Sequence, residues 1–218
     1  MTTLYLIRHS VRMKRNDIET YKTIQPRIIK EEKIILSSEG EKRAEILSQE
    51  QELQNIDVVY TSNCVRTLQT AKYIMEKQNL KANIDERLDE RRVGKINDQE
   101  VKDWFIRQYK DFDYKTVGGE SMREVQQRFS EVINEIINRH ENRRIAVFTH
   151  GYAITSYLLK YCKLNHISEE RLEVEYKGRI LYNKRLNAPE VFKLTFDKEE
   201  LKNIELIEFE DIPYNHGV

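Results

Sequence analysis

The chain has 218 residues and a mass of 26.2 kDa, with 37 Lys plus Arg matched by 37 Asp plus Glu and a pI near 7.0. That balance excludes a global attraction for nucleic acid or anionic membranes, so affinity for an anionic ligand has to be built locally. With 39% hydrophobic and 34% charged residues, the composition fits a core of useful size under a charged surface.

The chain enters its first apolar run, Leu4 to Ile7, within a few residues, without a basic leader or a small-residue cleavage site. No stretch is long and apolar enough to span a bilayer. Cys64 and Cys162 stand apart, without the spacing of a zinc site or a disulfide framework. The expectation is a cytoplasmic protein with no structural metal and no membrane or nucleic-acid partner.

Leu4 to Ile7, Asp57 to Tyr60 and Ile145 to Phe148 read as buried parallel strands. Between the first two lies a long polar connection, residues 11 to 34, with Arg12, Lys14 and Arg15 near its start. A Ser-x-x-Glu box, Ser38 to Glu41, is expected to open a helix by pairing free N–H groups reciprocally. Val65 to Met75 carries apolar residues at helical spacing, and Trp104 with Phe105 reads as core or pocket wall on a short helix. The clearest helix starts at Ser121, again with Glu three residues on, and shows Met122, Val125, Phe129, Val132, Ile133, Ile136 and Ile137 on one face. Leu172 to Tyr176, Val191 to Phe196 and Ile204 to Phe209 alternate or run apolar at strand length and are expected as edge strands. Alternating strands and helices predict an α/β fold: a three-layer αβα sandwich with a mostly parallel central sheet and at least one antiparallel edge strand. No linker, repeat or low-complexity segment divides residues 1 to 218, so one domain is expected.

In an open α/β sheet, ligands bind at the carboxyl ends of the strands. Here the first predicted strand ends in Arg8-His9, the second in Thr61-Ser62 with Arg66 one turn later, and the third in Thr149-His150-Gly151. Two imidazoles and two guanidiniums on one rim suit phosphoryl transfer. A neutral imidazole is a nucleophile near neutral pH, and guanidinium forks match phosphate oxygens. A leaving alkoxide needs a proton, for which Glu90 is the first candidate and Asp89 the second.

These motifs resemble those of the histidine phosphatase superfamily, in the branch of cofactor-dependent phosphoglycerate mutases and related small phosphatases. The family's Arg-His-Gly is represented by Arg8-His9-Ser10, and its Leu-Thr-x-x-Gly-x-x-Gln-Ala is echoed from Leu36 through Gly40 to Ala44. Its Ser-x-x-x-Arg-Thr-x-x-Thr-Ala is matched in full from Ser62 to Ala71. Leu88-Asp89-Glu90 followed by Gly94, Gly118-Gly119-Glu120-Ser121, Thr149-His150-Gly151 and Asn187-Ala188 complete the series in order.

The resemblance implies that His9 is the nucleophile and Glu90 the general acid and base. Arg8, Arg66 and His150 would line the phosphate pocket, with His150 donating to phosphate oxygens. Ser10, Gly151 and Asn16, the last a neighbour of the family's usual Asn position, join the substrate-binding set. Ser10 departs from the family glycine. The implied activity is metal-independent hydrolysis of a small phosphorylated substrate, without a cofactor. Phosphoglycerate-mutase-type transfer is the nearest alternative, weakened by the short Gly94 to Gly118 segment and its lack of a basic cluster. A non-catalytic module binding a phospho-ligand or protein is the alternative from another class. Oligomeric state stays open, a homodimer included.

Overall fold

The structure is a computed structural model of the chain and describes residues 1–13, 32–94, 104–169 and 171–209. Most of the connection expected at 11 to 34 lies outside those residues, as does Asn16. Strand β1 (Thr2–Arg8) sends Leu4 and Leu6 into one core and Tyr5 and Ile7 into another. A strand buried on both faces reads as a continuous apolar run.

Helix α1 (Ser38–Leu47) is capped by Ser37, whose hydroxyl accepts from the Gly40 N–H. This corrects the box expected between Ser38 and Glu41. The Ser37 N–H donates to the Val11 carbonyl at 2.9 Å, which fixes Ser37 in the extended conformation a cap requires. Glu41 instead accepts from the Gln69 amide and the Tyr73 hydroxyl, tying α1 to the next helix.

Strand β2 (Val58–Thr61) leads into α2 (Val65–Gln78), which stops at Asn79 in the left-handed region. The short β3 (Ala82–Ile84) and a 3₁₀ turn at Glu86–Leu88 follow. Helix α3 (Trp104–Lys110) precedes α4 (Met122–Arg139), which forms the expected Ser121–Glu124 capping box. Strand β4 (Arg144–Thr149) runs into α5 (Gly151–Leu158). The remainder is β5 (Lys163–Ile167), β6 (Leu172–Tyr176), β7 (Arg179–Lys184), β8 (Glu190–Asp197) and β9 (Glu200–Ile207).

The main sheet has the order β3-β2-β4-β1-β8-β9. The β3–β2, β2–β4 and β4–β1 pairs are parallel, and β8 runs against both β1 and β9. On one face Leu47 of α1 and Ala71 and Ile74 of α2 pack on Tyr5, Ile7, Val59 and Phe148. On the other, Val125, Phe129, Val132 and Ile133 of α4 and Ile154 and Leu158 of α5 pack on Leu4, Leu6, Ile145, Val147 and Phe192. Each Val, Leu, Ile or Phe among them, fully buried, contributes about 1.5–3 kcal/mol. This is the expected αβα sandwich with an antiparallel edge.

One expectation for the late strands needs correction. Leu172–Tyr176 belongs to a separate antiparallel sheet of order β5-β6-β7, not to the edge of the main one. Leu172, Val174 and Tyr176 point the same way and join the α5 side of the core, so their alternation is real but serves a different sheet. None of the described helices is long and apolar enough to cross a membrane.

Candidate active site

The parallel ladder continues past its strands and places the histidines. The His9 N–H donates to the Thr149 carbonyl at 2.9 Å, and the Ser62 N–H donates to the Phe148 carbonyl at 3.1 Å. Arg8 pairs with Thr149 in register. His9 and His150 therefore leave adjacent strands side by side, with ring centroids 5.2 Å apart and planes at 63°.

Hydrogen bonds assign opposite tautomers to the two rings. His9 Nδ1 lies 2.7 Å from the Ser10 carbonyl, which only accepts, so Nδ1 carries the proton and Nε2 the lone pair. Arg66 Nη2 lies 3.0 Å from His150 Nδ1, and a guanidinium only donates. His150 Nε2 therefore carries the proton and gives it to Ser62 Oγ at 2.8 Å. Ser62 Oγ meets Thr67 Oγ1 at 2.9 Å, and the Thr67 hydroxyl donates to the Cys64 carbonyl at 2.7 Å.

Burial and then the charges of Arg66 and Arg8 hold His9 well below the ordinary imidazole pKa. Burial and then Arg66 do the same to His150. Both rings are neutral at neutral pH, so His9 has a nucleophilic edge without a separate base. The cations that could bind a phosphate also keep the nucleophile unprotonated. Arg12, noted in the sequence only as part of a basic stretch, adds its charge to His9's surroundings.

Arg8 Nη1 donates to the carbonyls of Leu186 and, at 3.1 Å, Asn187. Burial pulls Arg8 below the usual guanidinium value, and Glu90 and Glu190 oppose that. Its guanidinium lies across Gly151, where an added Cβ would come within 3.2 Å of Nε. Ser10 is fully buried; its hydroxyl donates to the Gly40 carbonyl and its N–H to Thr70 Oγ1. The side chain that departs from the family pattern is thus tied into the scaffold, while its carbonyl orients His9.

Glu90 follows the 3₁₀ turn. Its Oε1 accepts from the N–H groups of Arg91 at 3.0 Å and Ala153 at 3.2 Å, and its Oε2 from Tyr152 at 3.3 Å. The N-terminus of α5 therefore holds this carboxylate beside the histidine that precedes the helix. Asp89 accepts from the Asn63 N–H at 3.1 Å on the other side of the turn, and burial pushes its carboxyl up to about 6. The Arg91 guanidinium is stacked 4.3 Å from the Trp104 ring and 3.9 Å from the Tyr152 ring, so Trp104 packs on the side chain that follows Glu90 in sequence.

The fold also gathers Cys64, Asp89 and His150, whose donor atoms lie within 4.8 Å of one another. Sequence spacing gave no sign of that grouping. Its chemistry does not suit a cation, because Arg66 donates to one His150 nitrogen and Ser62 holds the other. Burial pushes the Cys64 thiol up to about 11, away from the thiolate a metal would need.

The structure thus brings His9, His150, Arg66, Arg8, Ser10, Gly151 and Glu90 to one end of the sheet. Sequence reasoning gave no role to Ser62, Thr67 or the Ser10 carbonyl. Ser62 and Thr67 stood in a recognisable motif, but the carbonyl had no sequence signal at all.

A family model described as the histidine phosphatase superfamily (branch 1) matches residues 4–181. Phosphoserine phosphatase 1 of Hydrogenobacter thermophilus is 30% identical over 137 residues, covering 59% of this chain and 64% of that relative's length. A probable phosphoglycerate mutase, GpmB of Serratia proteamaculans, is 26% identical over 182 residues, 80% of this chain and 81% of the relative. The fold superposes on YhfR of Bacillus stearothermophilus with a TM-score of 0.67 at 23% identity, covering 93% of this chain and 95% of that one.

Proposed function

Since the chain belongs to branch 1 of the histidine phosphatase superfamily, we propose that it is a cytoplasmic, single-domain phosphatase that hydrolyses a small phosphate monoester through a phosphohistidine on His9. The observation that carries this reading is the neutral His9, its Nδ1 proton held by the Ser10 carbonyl, its ring 5.2 Å from that of His150 and in the field of Arg66 and Arg8.

In the first step the Nε2 lone pair forms the N–P bond while the P–O bond to the leaving group breaks. Glu90, entering as the carboxylic acid, gives its proton to the departing oxygen. The imidazole gains positive charge as the bond forms, and the Nδ1–H to Ser10 carbonyl hydrogen bond strengthens with it. Arg8 and Arg66 offset charge on the phosphoryl oxygens. In the second step the Glu90 carboxylate takes a proton from water, whose oxygen attacks phosphorus. The N–P bond breaks, inorganic phosphate leaves, and neutral His9 and protonated Glu90 are restored. Glu90 is preferred to Asp89 because the N-terminus of α5 holds its carboxylate next to His150 and within the electrostatic reach of Arg8.

The relative named as a probable mutase supports a second reading, in which the phosphoryl group returns to a substrate hydroxyl. The short Gly94 to Gly118 segment favours hydrolysis. The test is turnover of para-nitrophenyl phosphate in excess chelator by the wild type and by His9→Ala. Chelator-resistant phosphate release that vanishes in a folded His9→Ala variant is expected. Turnover that survives the substitution would overturn the reading.

A further inference from the structure

The backbone that carries Glu90 is gripped from α4 by a buried ion pair. Arg128 Nη1 donates to the carbonyls of Arg87 at 2.7 Å and Asp89 at 3.0 Å, and Nη2 to that of Glu90 at 3.4 Å. The same guanidinium meets Glu120 through Nε at 2.8 Å and Nη2 at 3.1 Å. Glu120 Oε2 accepts from the Arg92 N–H at 2.8 Å, and the Glu120 N–H donates back to the Arg92 carbonyl at 2.8 Å. The pair therefore holds both flanks of Glu90, from residue 87 to residue 92.

Both partners are largely buried, with side chains 19% and 7% exposed. Burial alone would push Glu120 up, yet Arg128 and the Arg92 N–H outweigh it and keep the carboxyl below its usual value. A buried pair is weak evidence for net stability, because desolvation offsets much of the attraction. What this pair does provide is geometry. A planar fork reaching three carbonyls and a carboxylate fixes a turn that has no ladder of its own. The α5 N–H groups fix only the end of the side chain, so carboxylate and backbone are held from two helices.

We propose that Glu120 and Arg128 are positioning residues for proton transfer by Glu90, setting the carboxyl against the leaving-group oxygen without touching the substrate. This rests on the phosphatase reading above. It requires a defect that grows as the leaving group becomes poorer, since only a poor leaving group depends on the proton.

The test measures kcat/KM, which reads the steps through phosphohistidine formation, for aryl phosphates running from para-nitrophenyl to phenyl. Arg128→Lys keeps the charge but not the fork. We expect a loss of roughly tenfold or more on phenyl phosphate, within the range of about 10²–10⁴ that general acids supply, and only a few-fold loss on para-nitrophenyl phosphate. Glu120→Gln, which keeps shape and volume, is expected to move the leaving-group dependence the same way and stands in should Arg128→Lys fail to fold. An equal loss across the series would mean a merely structural role and would overturn the proposal, as would no loss at all. Failure of the phosphatase reading is seen separately, as wild-type protein that releases phosphate from none of the esters.

Discussion

The two halves of the site are held by opposite means. His9 and His150 extend parallel strands whose hydrogen-bond ladder runs on through the His9 N–H, and their neighbours are buried on both sheet faces. Glu90 lies on no strand or helix and is fixed by side chains and N–H groups from α4 and α5. A backbone ladder positions groups through contacts that nearly any side chain permits. A clamp of side chains depends on a few residue types far apart in sequence. The nucleophile half should therefore fail through its charges and close packing, and the acid half through loss of orientation.

The largest expected effect separates the halves by leaving group. Arg66→Ala should lower kcat/KM on the order of 10²–10³, as loss of one charge-stabilising donor does, and by a similar factor for good and poor leaving groups. Glu90→Gln should cost on the order of 10²–10⁴ on poor leaving groups and far less on para-nitrophenyl phosphate. Asp89→Asn should leave that leaving-group dependence as in the wild type. If Asp89→Asn steepens it and Glu90→Gln does not, the acid has been assigned to the wrong neighbour.

A smaller effect tests how closely the nucleophile half is packed. Gly40 approaches the chain just after His9 so tightly that an added Cβ would lie 2.0 Å from the Val11 carbonyl oxygen. Its own carbonyl accepts the Ser10 hydroxyl. Gly40→Ala must move Val11 and, with it, Ser10, at a cost of about 1–3 kcal/mol for overpacking. In a protein of this size, thermal unfolding should show roughly 2–4 °C lost per kcal/mol. Activity should fall evenly across leaving groups, because the displaced carbonyl orients His9 and not the acid. An unchanged Tm would mean that the Val11 segment yields freely and contributes no precision.

The same division explains what was legible in the sequence. Arg8-His9, Ser62 to Arg66 and Thr149-His150 could be found because each follows an apolar strand, and the ladder does the rest. The Ser121 cap was readable because its partner is three residues away. The cap at Ser37 was misplaced because a contact from Val11, remote in sequence, decides it. Strand Leu172–Tyr176 was recognised by its alternation, yet its sheet was not, since a period of two gives a face and no partner. Arg128 lies among the polar positions of an amphipathic helix, where the sequence pattern assigns it no role. Only the fold shows that it faces the Glu90 turn.

The smallest expected effect concerns His150. Its Nε2–H goes to Ser62, so the donor role to phosphate implied by the family requires that proton to change partners. Nitrogen–proton spectra of the free protein at pH 7 should show His9 protonated at Nδ1 and His150 at Nε2, neither titrating near 6.5. The unfolded chain does take protons there while these folded rings do not, so stability should decline as the pH drops below 6.5. Asp89, which gains a proton near 6 in the folded state, opposes that decline further down. Ser62→Ala leaves Arg66 on Nδ1, so the Nε2–H tautomer should persist with its acceptor removed. An ordinary hydrogen bond contributes about 0.5–1.5 kcal/mol, so kcat/KM should change by a factor of roughly 2–12. A rise would mean that Ser62 competes with phosphate for the His150 proton, and a fall that Ser62 aims His150 at Arg66. A switch of His150 to the Nδ1–H form would break the assignment, because two N–H donors would then face each other across 3.0 Å.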